Sequence, residues 1–434
     1  MSLRQHVKKV IPKKVFEAIE PVGHKAEAML VSTKYGFPAK DLRVIGVTGT
    51  NGKTTTCFMI HKMLVEAGYK VGLMTTVAYG VGDKITPQVA HMTSVSAPLL
   101  QKRLKAFKEQ GAEWVVLETT SHALAQYRVW GVPYEIAVMT NITHEHLDYH
   151  KTFERYRDAK KRMFTLANKN KRGFGIVNAD DPSAKAFLGA VSQHVSYGVT
   201  HGDLRAEKVQ LLPDGSRYRA VIGKESYAIA CHIPGEFNVY NSLAAVAVGR
   251  QLGLSKVQIE QGIDALTSVE GRMNVVDEGQ DFSVVVDFAH TPDSFERLLG
   301  DLRKSTKGKL VAVFGSAGRR DESKRAIQGE IAGKYCDEVV LTEEDDRDID
   351  GNEILEQIAS GARRSGKVDD KNLFKILDRT EAIRFGVSRV ATKDDVVILL
   401  GKGHEKTIER ADGEHLWNEI ETAQKALKDL VVKR

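Results

Sequence analysis

Short runs of apolar, often β-branched residues alternate with longer amphipathic stretches along most of this chain. The segments LRVIGV, VGLMTT, WVVLE and IAVMT each have the length and composition of a buried strand. The stretch 54–67, between the first two segments, has helical spacing and stops at Gly68. Strands that alternate with helices are typical of βαβ units. The pattern therefore predicts an α/β fold with a mostly parallel sheet from residue 43 onward.

A second series with the same alternation starts after Gly271. SVVVDF, KLVAVFG, EVVLTE and DVVILLG are predicted strands, and a closing helix is predicted near 417–431. From about 196 to 234 the apolar runs are shorter, which predicts a small antiparallel insert joined by the turn PDGS. We expect an N-terminal helical appendage over 1–42, a central domain over 43–270 and a C-terminal Rossmann-like α/β domain over 271–434. The segment 270–273 is the predicted hinge.

Composition and charge narrow the class of protein. The chain has 434 residues, of which 42% are hydrophobic, so it has enough apolar material for buried cores and is not a disordered chain. The net charge of +6 is spread thinly and gives no nucleic-acid signature. Cys57, Cys231 and Cys336 stand singly, which argues against a disulfide framework or a paired-cysteine zinc site. Apolar runs are far shorter than the roughly 20 residues of a membrane span, so we expect a cytoplasmic protein.

The most specific motif is VTGTNGKTTT at 47–56, between a predicted strand and a predicted helix. Glycines let backbone N–H groups turn toward phosphate oxygens, and a helix N-terminus adds partial positive charge. In such a P-loop, Lys53 would neutralise the β- and γ-phosphates and the Thr54 hydroxyl would bind Mg²⁺. The motif is a variant, because Val47 stands where the usual pattern has glycine. It predicts a nucleotide-phosphate site in the central domain.

Polar side chains also follow other strands of the first series. Glu118 ends WVVLE, where a carboxylate would face the ligand crevice and could bind Mg²⁺. The loop after IAVMT carries possible metal or phosphate contacts, namely His144, Glu145, His146, Asp148 and His150. Taken alone, Glu118 is more simply a solvated carboxylate at a strand end, and the loop is equally compatible with a hydrated polar loop. Lys160, in the predicted helix YRDAKKRMF, is by itself most simply a surface lysine.

Three polar loops follow predicted strands of the second series, and they should line one crevice. They are DFAHTP at 287–292, VFGSAGRRDESKR at 313–325 and LLGKGHE at 399–405. The basic residues Arg319, Arg320, Lys324 and Arg325 suit a phosphate or carboxylate. The acidic run 343–346 suits an ammonium group. A crevice that holds both signs suits a zwitterion such as an amino acid.

Taken in order, nine segments resemble the Mur ligase family. They are VTGTNGKTTT, ETTSHAL, NITHEHLDYH, DAKKRMF, PGEFNVYNSLAA, EGRM, DFAHTP, GRRDESKR and GKGHE. The resemblance covers about 43–434 and is strongest to the member that adds the third amino acid to UDP-N-acetylmuramoyl-dipeptide in peptidoglycan synthesis. DFAHTP, GKGHE and TTSHAL separate the chain from folylpolyglutamate synthase. The resemblance implies an ATP-dependent ligase that forms an amide bond through an acyl phosphate.

The resemblance also implies roles for individual residues. The catalytic set is Lys53, Glu118, Asn141, His146 and Lys160. ATP would be held by Gly49, Thr50, Asn51, Gly52, Lys53, Thr54, Thr55, Asn238, Asn241, Arg272, Asp287 and His290. Two Mg²⁺ sites would use Thr54, Glu118, His146 and Lys160, the last as a carbamate, because carbamylation converts the ammonium into an anion. The acceptor would contact Thr93, Ser94, Thr120, Ser121 and Arg128. The incoming amino acid would contact Arg325, Glu344, Asp345, Arg347, Gly401 and Glu405.

The chain departs from the family pattern in two places. Family members normally carry an N-terminal domain that binds the uridine diphosphate, whereas 42 residues precede the first predicted strand here. We expect that domain to be absent, so that the acceptor is held by its sugar-peptide end, or a partner supplies the missing contacts, or the acceptor differs. The segment that selects the amino acid reads DNPR in diaminopimelate-using members and EDDR at 344–347 here. Arg347 favours a distal carboxylate, but the lost proline leaves diaminopimelate and lysine both open. Arg319 also stands where an aspartate is common.

The sequence thus predicts a monomeric ligase that uses ATP, two Mg²⁺ and carbamylated Lys160 to add diaminopimelate or lysine to a muramoyl peptide. A Mur-type ligase for a pseudomurein-like or polyglutamate-like peptide is an alternative of the same class. A nucleotide-binding subunit without catalysis is an alternative of another class. Release of ADP only when acceptor and amino acid are both present would exclude that last hypothesis.

Overall fold

The computed structural model describes the backbone of residues 13–88, 93–143, 145–212 and 215–431. Side chains are described within these ranges from residue 23 onward, except those of Asp148 and Val431. His144, proposed above as a possible ligand, lies outside the described residues, as do Pro213 and Asp214 of the predicted turn. The described chain divides into two compact units, one of residues 13–209, 218–230 and 239–266, the other of 210–217, 231–238 and 267–431.

An eleven-stranded sheet, most of whose residues belong to the first unit, forms the framework of that unit. Its strands are β1 (Arg43–Thr48), β2 (Val71–Met74), β3 (Ala78–Val81), β4 (Lys84–Pro87), β5 (Trp114–Glu118), β6 (Tyr134–Met139), β7 (Phe174–Asn178), β8 (His194–Gly198), β9 (Leu204–Leu212), β10 (Gly215–Ile222) and β11 (Glu225–Cys231). Their order is β11-β10-β9-β8-β7-β6-β1-β5-β2-β3-β4, and β1 lies parallel between β5 and β6. The predicted mostly parallel sheet is confirmed. β9, β10 and β11, where a small insert was predicted, extend this sheet because β9 pairs in parallel with β8.

Helices cover the sheet and explain why its central strands are continuous apolar runs. They are α1 (Lys13–Lys34), α2 (Lys53–Glu66), α3 (Ala97–Glu109), α4 (Ser121–Ala125), α5 (Leu147–His150), α6 (Phe153–Ala167), α7 (Ala184–Leu188), α8 (Glu236–Gln251) and α9 (Lys256–Asp264), with a 3₁₀ turn at Pro38–Asp41. Val44, Ile45 and Val47 of β1 are fully buried. A strand covered on both faces needs apolar side chains at every position. Thr152 begins α6 by accepting the Arg155 N–H.

The second unit is a smaller α/β layer. Its sheet has the order β12-β13-β17-β14-β15-β16, with β12 (Asn274–Val276), β13 (Ser283–Asp287), β14 (Leu310–Phe314), β15 (Glu338–Leu341), β16 (Leu373–Lys375) and β17 (Val396–Leu400). Its helices are α10 (Pro292–Ser305), α11 (Ser323–Tyr335), α12 (Gly351–Arg364), α13 (Arg379–Ser388) and α14 (Glu419–Val431), and β18 (Thr407–Arg410) pairs with β19 (Gly413–Leu416). The four predicted strands are confirmed as β13, β14, β15 and β17. All four run parallel, so their polar loops leave the same edge.

Candidate functional site

The loop between β1 and α2 is a tight turn in which two positions require glycine. Gly49 and Gly52 have φ angles of +152° and +82°. A Cβ on Gly49 would stand 1.9 Å from Thr140 Oγ1, and one on Gly52 would stand 2.3 Å from Asn241 Oδ1. The loop is therefore pressed against its neighbours, and it leads directly into the N-terminus of α2. That arrangement favours an anion such as a phosphate.

Replacing Gly52 with alanine is expected to cost more than the positive φ alone explains. Gly253 has a similar φ of +75°, yet a Cβ there would meet no atom within 4 Å. Gly253→Ala should lower the free energy of unfolding by about 1 kcal/mol from backbone strain. Gly52→Ala should lower the free energy of unfolding further, because the new Cβ collides with Asn241, and should also weaken binding of a nucleotide phosphate if the loop holds one as the sequence predicts. Urea unfolding measures the first effect and calorimetric titration the second. An equal loss of unfolding free energy in Gly52→Ala and Gly253→Ala would refute the collision.

Asn141, predicted as catalytic, lies against the phosphate-binding loop as a support. Its Oδ1 accepts the Asn51 N–H at 3.0 Å, and its Nδ2 donates to Asn51 O at 3.1 Å. Thr140, which the sequence did not single out, donates to the same carbonyl at 2.6 Å. Lys53 Nζ donates to Thr50 O at 2.6 Å, and Thr55 is buried in the first turn of α2.

A buried carboxylate faces the start of α2. Glu118 is only 2% exposed, and its Oε2 accepts the Thr54 hydroxyl at 3.0 Å. The same oxygen accepts the Thr76 N–H at 2.9 Å and the Thr76 hydroxyl at 3.0 Å. Sequence reasoning missed Thr76. It lies two residues beyond β2, the strand next to β5, so the rule of polar residues at strand ends could have found it.

Lys160 is buried, which excludes the hypothesis of a surface lysine. Its side chain is 2% exposed, its Nζ donates to Gly49 O, and that nitrogen lies 4.7 Å from the centre of the Tyr156 ring. Burial and the nearby Lys53 ammonium hold the pKa of Lys160 well below its ordinary value, although Glu145 and Glu118 oppose the shift. The lysine therefore gives up its proton more readily than a solvated lysine.

His146 stands at the edge of this group. Its backbone is left-handed, with φ +56°, and its side chain is 41% exposed. Its ring lies 4.7 Å from the His122 ring and 6.1 Å from the Tyr156 ring, and the Tyr156 hydroxyl lies 2.9 Å from Thr50 Oγ1. Within the described ranges, no three His, Cys, Asp or Glu side chains are grouped closely enough to hold a metal by themselves. Tyr156 and His122 were not among the predicted residues.

The predicted acceptor residues come together beside Glu118. Ser94 Oγ accepts the Thr120 N–H and hydroxyl, each at 3.1 Å, and donates to Glu118 O at 3.3 Å. Arg128 Nη1 donates to Ser94 O at 2.8 Å. Ser121 Oγ lies 3.0 Å from His150 Nε2, and Thr93 is partly exposed next to Ser94. Hydroxyl groups and one guanidinium thus lie next to the backbone carbonyl of Glu118.

The remaining predicted nucleotide contacts fall into separate groups. Asn241 Oδ1 accepts the Thr56 hydroxyl at 3.2 Å beneath the loop, whereas Asn238 Nδ2 donates to Pro234 O at 2.7 Å. In the second unit, Asp287 accepts the N–H groups of Met273 and Ala289 at 2.8 Å. Burial raises the pKa of Asp287, and the Arg272 guanidinium counteracts that rise. His290 Nδ1 lies 2.9 Å from Phe288 O.

The predicted amino-acid contacts, except Arg325 in the first turn of α11, lie on the loops at the carboxyl ends of β15 and β17. Asp345 and Glu405 accept from Lys402 Nζ at 2.8 and 2.7 Å. A Cβ on Gly401 would stand 2.6 Å from Glu344 Oε2. Arg347 Nε donates to Glu409 at 2.7 Å, and Arg325 Nη1 donates to Gln357 at 2.7 Å. Sequence reasoning missed Lys402 and Glu409, although Lys402 lies within GKGHE.

The fold and the site define the class of protein. It is an α/β protein whose first unit has a P-loop-like turn and whose second α/β unit has loops with both acidic and basic side chains. Two family models match the chain: the Mur ligase middle domain over 47–249 and the Mur ligase glutamate ligase domain over 271–403. The chain belongs to the Mur ligase family and is a ligase.

Named relatives agree with that membership. The UDP-N-acetylmuramyl-tripeptide synthetase of Roseiflexus sp. (strain RS-1) is 40% identical, over 94% of this chain and 83% of its own. The UDP-N-acetylmuramoyl-L-alanyl-D-glutamate–2,6-diaminopimelate ligase of Syntrophomonas wolfei is 39% identical, over 89% and 78%. A solved structure of such a diaminopimelate ligase has a TM-score of 0.65 at 30% identity, covering 95% of this chain and 83% of that one. None of the helices in the described part of this chain has the length and apolar character required to cross a membrane.

Proposed function

We propose that this protein is an ATP-dependent ligase that joins an amino acid to a muramoyl-dipeptide through an acyl phosphate. The observation that carries the proposal is the grouping of Lys53, Thr54, Glu118 and Lys160 around one loop. Thr54 bonds Glu118 at 3.0 Å, and Lys160 bonds Gly49 of the same loop. The activities in the names of these relatives support a muramoyl-peptide acceptor and an amino acid as the second substrate. We expect it to act as a monomer on small molecules.

The donor atoms around Glu118 fit Mg²⁺. A hydroxyl and a carboxylate are hard oxygen ligands, and Mg²⁺ normally takes only one or two protein carboxylates together with substrate phosphates. Thr54 and Glu118 would hold one ion, and His146 with a modified Lys160 would contribute to a second. When bound, Mg²⁺ would neutralise charge that develops on the transferred phosphoryl group. As an ammonium Lys160 does not fit a metal, because it has no free lone pair.

Lys160 is suited to become a carbamate. Its neutral amine would attack CO₂, so that an N–C bond forms and one proton leaves, and a fully buried lysine with a lowered pKa offers that neutral amine. The product is an anion with two oxygens, which neighbouring Lys53 would stabilise by its positive charge. The buried position would also slow hydrolysis of the carbamate, since little water reaches it.

The remaining residues have positioning roles in the proposed reaction. Backbone N–H groups of the loop and Lys53 would hold the triphosphate while the acceptor carboxylate attacks the γ-phosphorus, releasing ADP. Ser94, Thr120 and Arg128 would bind the acceptor beside Glu118. The amine would then attack the acyl carbon, forming the amide bond as the bond to phosphate breaks and the amine loses a proton.

The test is to incubate the full chain with ATP, Mg²⁺ and UDP-N-acetylmuramoyl-L-alanyl-D-glutamate, and to add either diaminopimelate or lysine in separate reactions. ADP release that needs both substrates, together with the tripeptide mass, is the expected result. The dipeptide acceptor without UDP would show whether the nucleotide end is needed. ATP hydrolysis that ignores both substrates, or no tripeptide under any condition, would contradict the proposal.

A further inference from the structure

The two carboxylate oxygens of Glu118 are bonded unequally. Oε2 accepts three hydrogen bonds, from the Thr54 hydroxyl at 3.0 Å, the Thr76 N–H at 2.9 Å and the Thr76 hydroxyl at 3.0 Å. A carboxylate oxygen has two lone pairs, so three donors occupy Oε2 fully. Among the residues that the structure describes, none donates a hydrogen bond to Oε1. Oε1 is therefore the oxygen that Glu118 can offer to a ligand.

The negative charge of Glu118 is a second, independent observation. The side chain is buried, and its three donor groups are all uncharged. No cationic side chain in the described part of the chain forms an ion pair with it. Buried charges in proteins are normally paired or bound to a metal, because an isolated one is costly. The carboxylate thus suits a cation supplied from outside the protein.

Thr76 is held in place by a tight turn that does not involve Glu118. Thr75 Oγ1 accepts the N–H groups of Val77 at 3.2 Å and of Ala78 at 3.1 Å, and the Thr75 N–H donates to Ala78 O at 2.9 Å. β2 and β5 are parallel neighbours, so this turn lies beside the end of β5, where Glu118 stands. Both Thr76 donors are therefore placed by the backbone and do not depend on a bound ligand.

We infer that Thr76 is a positioning residue that restricts Glu118 to one free oxygen and thereby favours Mg²⁺ over Ca²⁺ at this site. The inference rests on the proposed function, in which Thr54 and Glu118 hold a metal ion. Ca²⁺ has a larger, more flexible coordination sphere and often takes both oxygens of a carboxylate, whereas Mg²⁺ requires a compact octahedron. With Oε2 occupied by its donors, Glu118 does not supply a second oxygen. The Thr54 hydroxyl can still donate to Oε2 while its own oxygen binds the ion.

The test measures metal affinity without turnover. The full chain with ADP is titrated with Mn²⁺, bound ion is followed by the loss of the free-ion EPR signal, and Mg²⁺ or Ca²⁺ is then added as the competitor. Thr76→Val removes the hydroxyl and should weaken Mg²⁺ binding about 10-fold, because the carboxylate loses a bond that fixes its orientation. Ca²⁺ binding should change by less than about 2-fold, because a carboxylate that can turn offers it both oxygens. The ratio of Mg²⁺ to Ca²⁺ affinity should therefore fall roughly 5-fold or more.

Three further variants separate positioning from a general loss of structure. Thr76→Ser keeps the hydroxyl and should keep the wild-type ratio. Thr119→Val is the matched control: Thr119 is fully buried beside Glu118, but its hydroxyl donates to Leu117 O at 3.2 Å and lies 3.0 Å from the Tyr134 hydroxyl. This variant should lose stability without changing the ratio. Thr76→Ala, which also removes the hydroxyl, repeats the test if Thr76→Val does not fold.

The result distinguishes the role of Thr76 from the proposed function. An unchanged ratio in Thr76→Val, or an equal loss of affinity for both ions, would overturn the inference, and so would a wild-type chain that binds no Mn²⁺. Tripeptide formation decides the proposed function separately. A chain that shows the expected change in ratio but makes no tripeptide would support the role of Thr76 and contradict the ligase activity.

Discussion

Replacing Lys160 with alanine should lower kcat for amide synthesis by about 10³-fold or more, because the carbamate that would help to hold the second Mg²⁺ beside the transferred phosphoryl group is lost. The reason lies in the burial of Lys160 against Gly49 and in its lowered pKa, which suit it to carbamate formation. Added acetate or formate should restore part of the activity by entering the space that the side chain leaves. The measurement is tripeptide formation with and without the added carboxylate.

The adjacent lysine provides the control. Lys161 is partly exposed and pairs with Asp158 at 3.0 Å, so Lys161→Ala should change activity little and cost less than about 1 kcal/mol of stability. The carbamate itself can be observed by ¹³C NMR after addition of ¹³C-bicarbonate. Full activity of Lys160→Ala would reject the carbamate role, and loss of activity without rescue would leave only a packing role for this lysine.

Replacing Lys53 with methionine should lower kcat by about 10³-fold with a smaller effect on acceptor KM, because the positive charge stabilises the phosphoryl-transfer transition state. Lys53 lies at the start of α2, bonds Thr50 O at 2.6 Å and lowers the pKa of Lys160. Its removal should therefore also reduce the ¹³C carbamate signal of Lys160, because a neighbouring positive charge favours both the neutral amine and the anionic product.

Lys62→Met is the matched control for Lys53→Met. Lys62 lies on the same helix and pairs with Glu66 at 2.6 Å near the surface. Its loss should leave ADP release and the carbamate signal unchanged. If both lysine variants lose activity equally, the effect comes from the helix and not from the charge at the phosphate loop.

Local features of the site could be predicted from the sequence because they depend on residues that are neighbours in the chain. The phosphate-binding loop is one example: glycines at 49 and 52 permit the turn, and the strand and helix on each side follow from their periodicity. The contacts of Ser94 with Thr120 and Arg128 depend on more than neighbouring residues, and the acceptor role of these three residues stays a prediction. Only the family resemblance grouped these residues, since nothing in their spacing requires them to meet.

Other features depended on partners that the sequence does not place next to each other. Thr76 could have been suspected from its place beyond β2, but its two bonds to Glu118 join residues 42 positions apart. The predicted insert over 196–234 became part of the main sheet because backbone groups of β8 and β9 happened to pair in parallel register. Strand pairing depends on which edges meet in space, and a short alternating pattern leaves that open.

By itself the sequence determined the order of the predicted strands and helices, the glycine-containing loop between β1 and α2, and the resemblance of the nine motifs to one family. These features depend on spacing and local backbone geometry, which residues close together in the chain determine. Tertiary structure alone decided that Lys160 is buried against a carbonyl 111 positions away and that Arg347 is matched by Glu409, 62 positions away. Charge and proton affinity depend on burial and on the nearest ionised group. Both of these are set only when distant segments of the chain pack together.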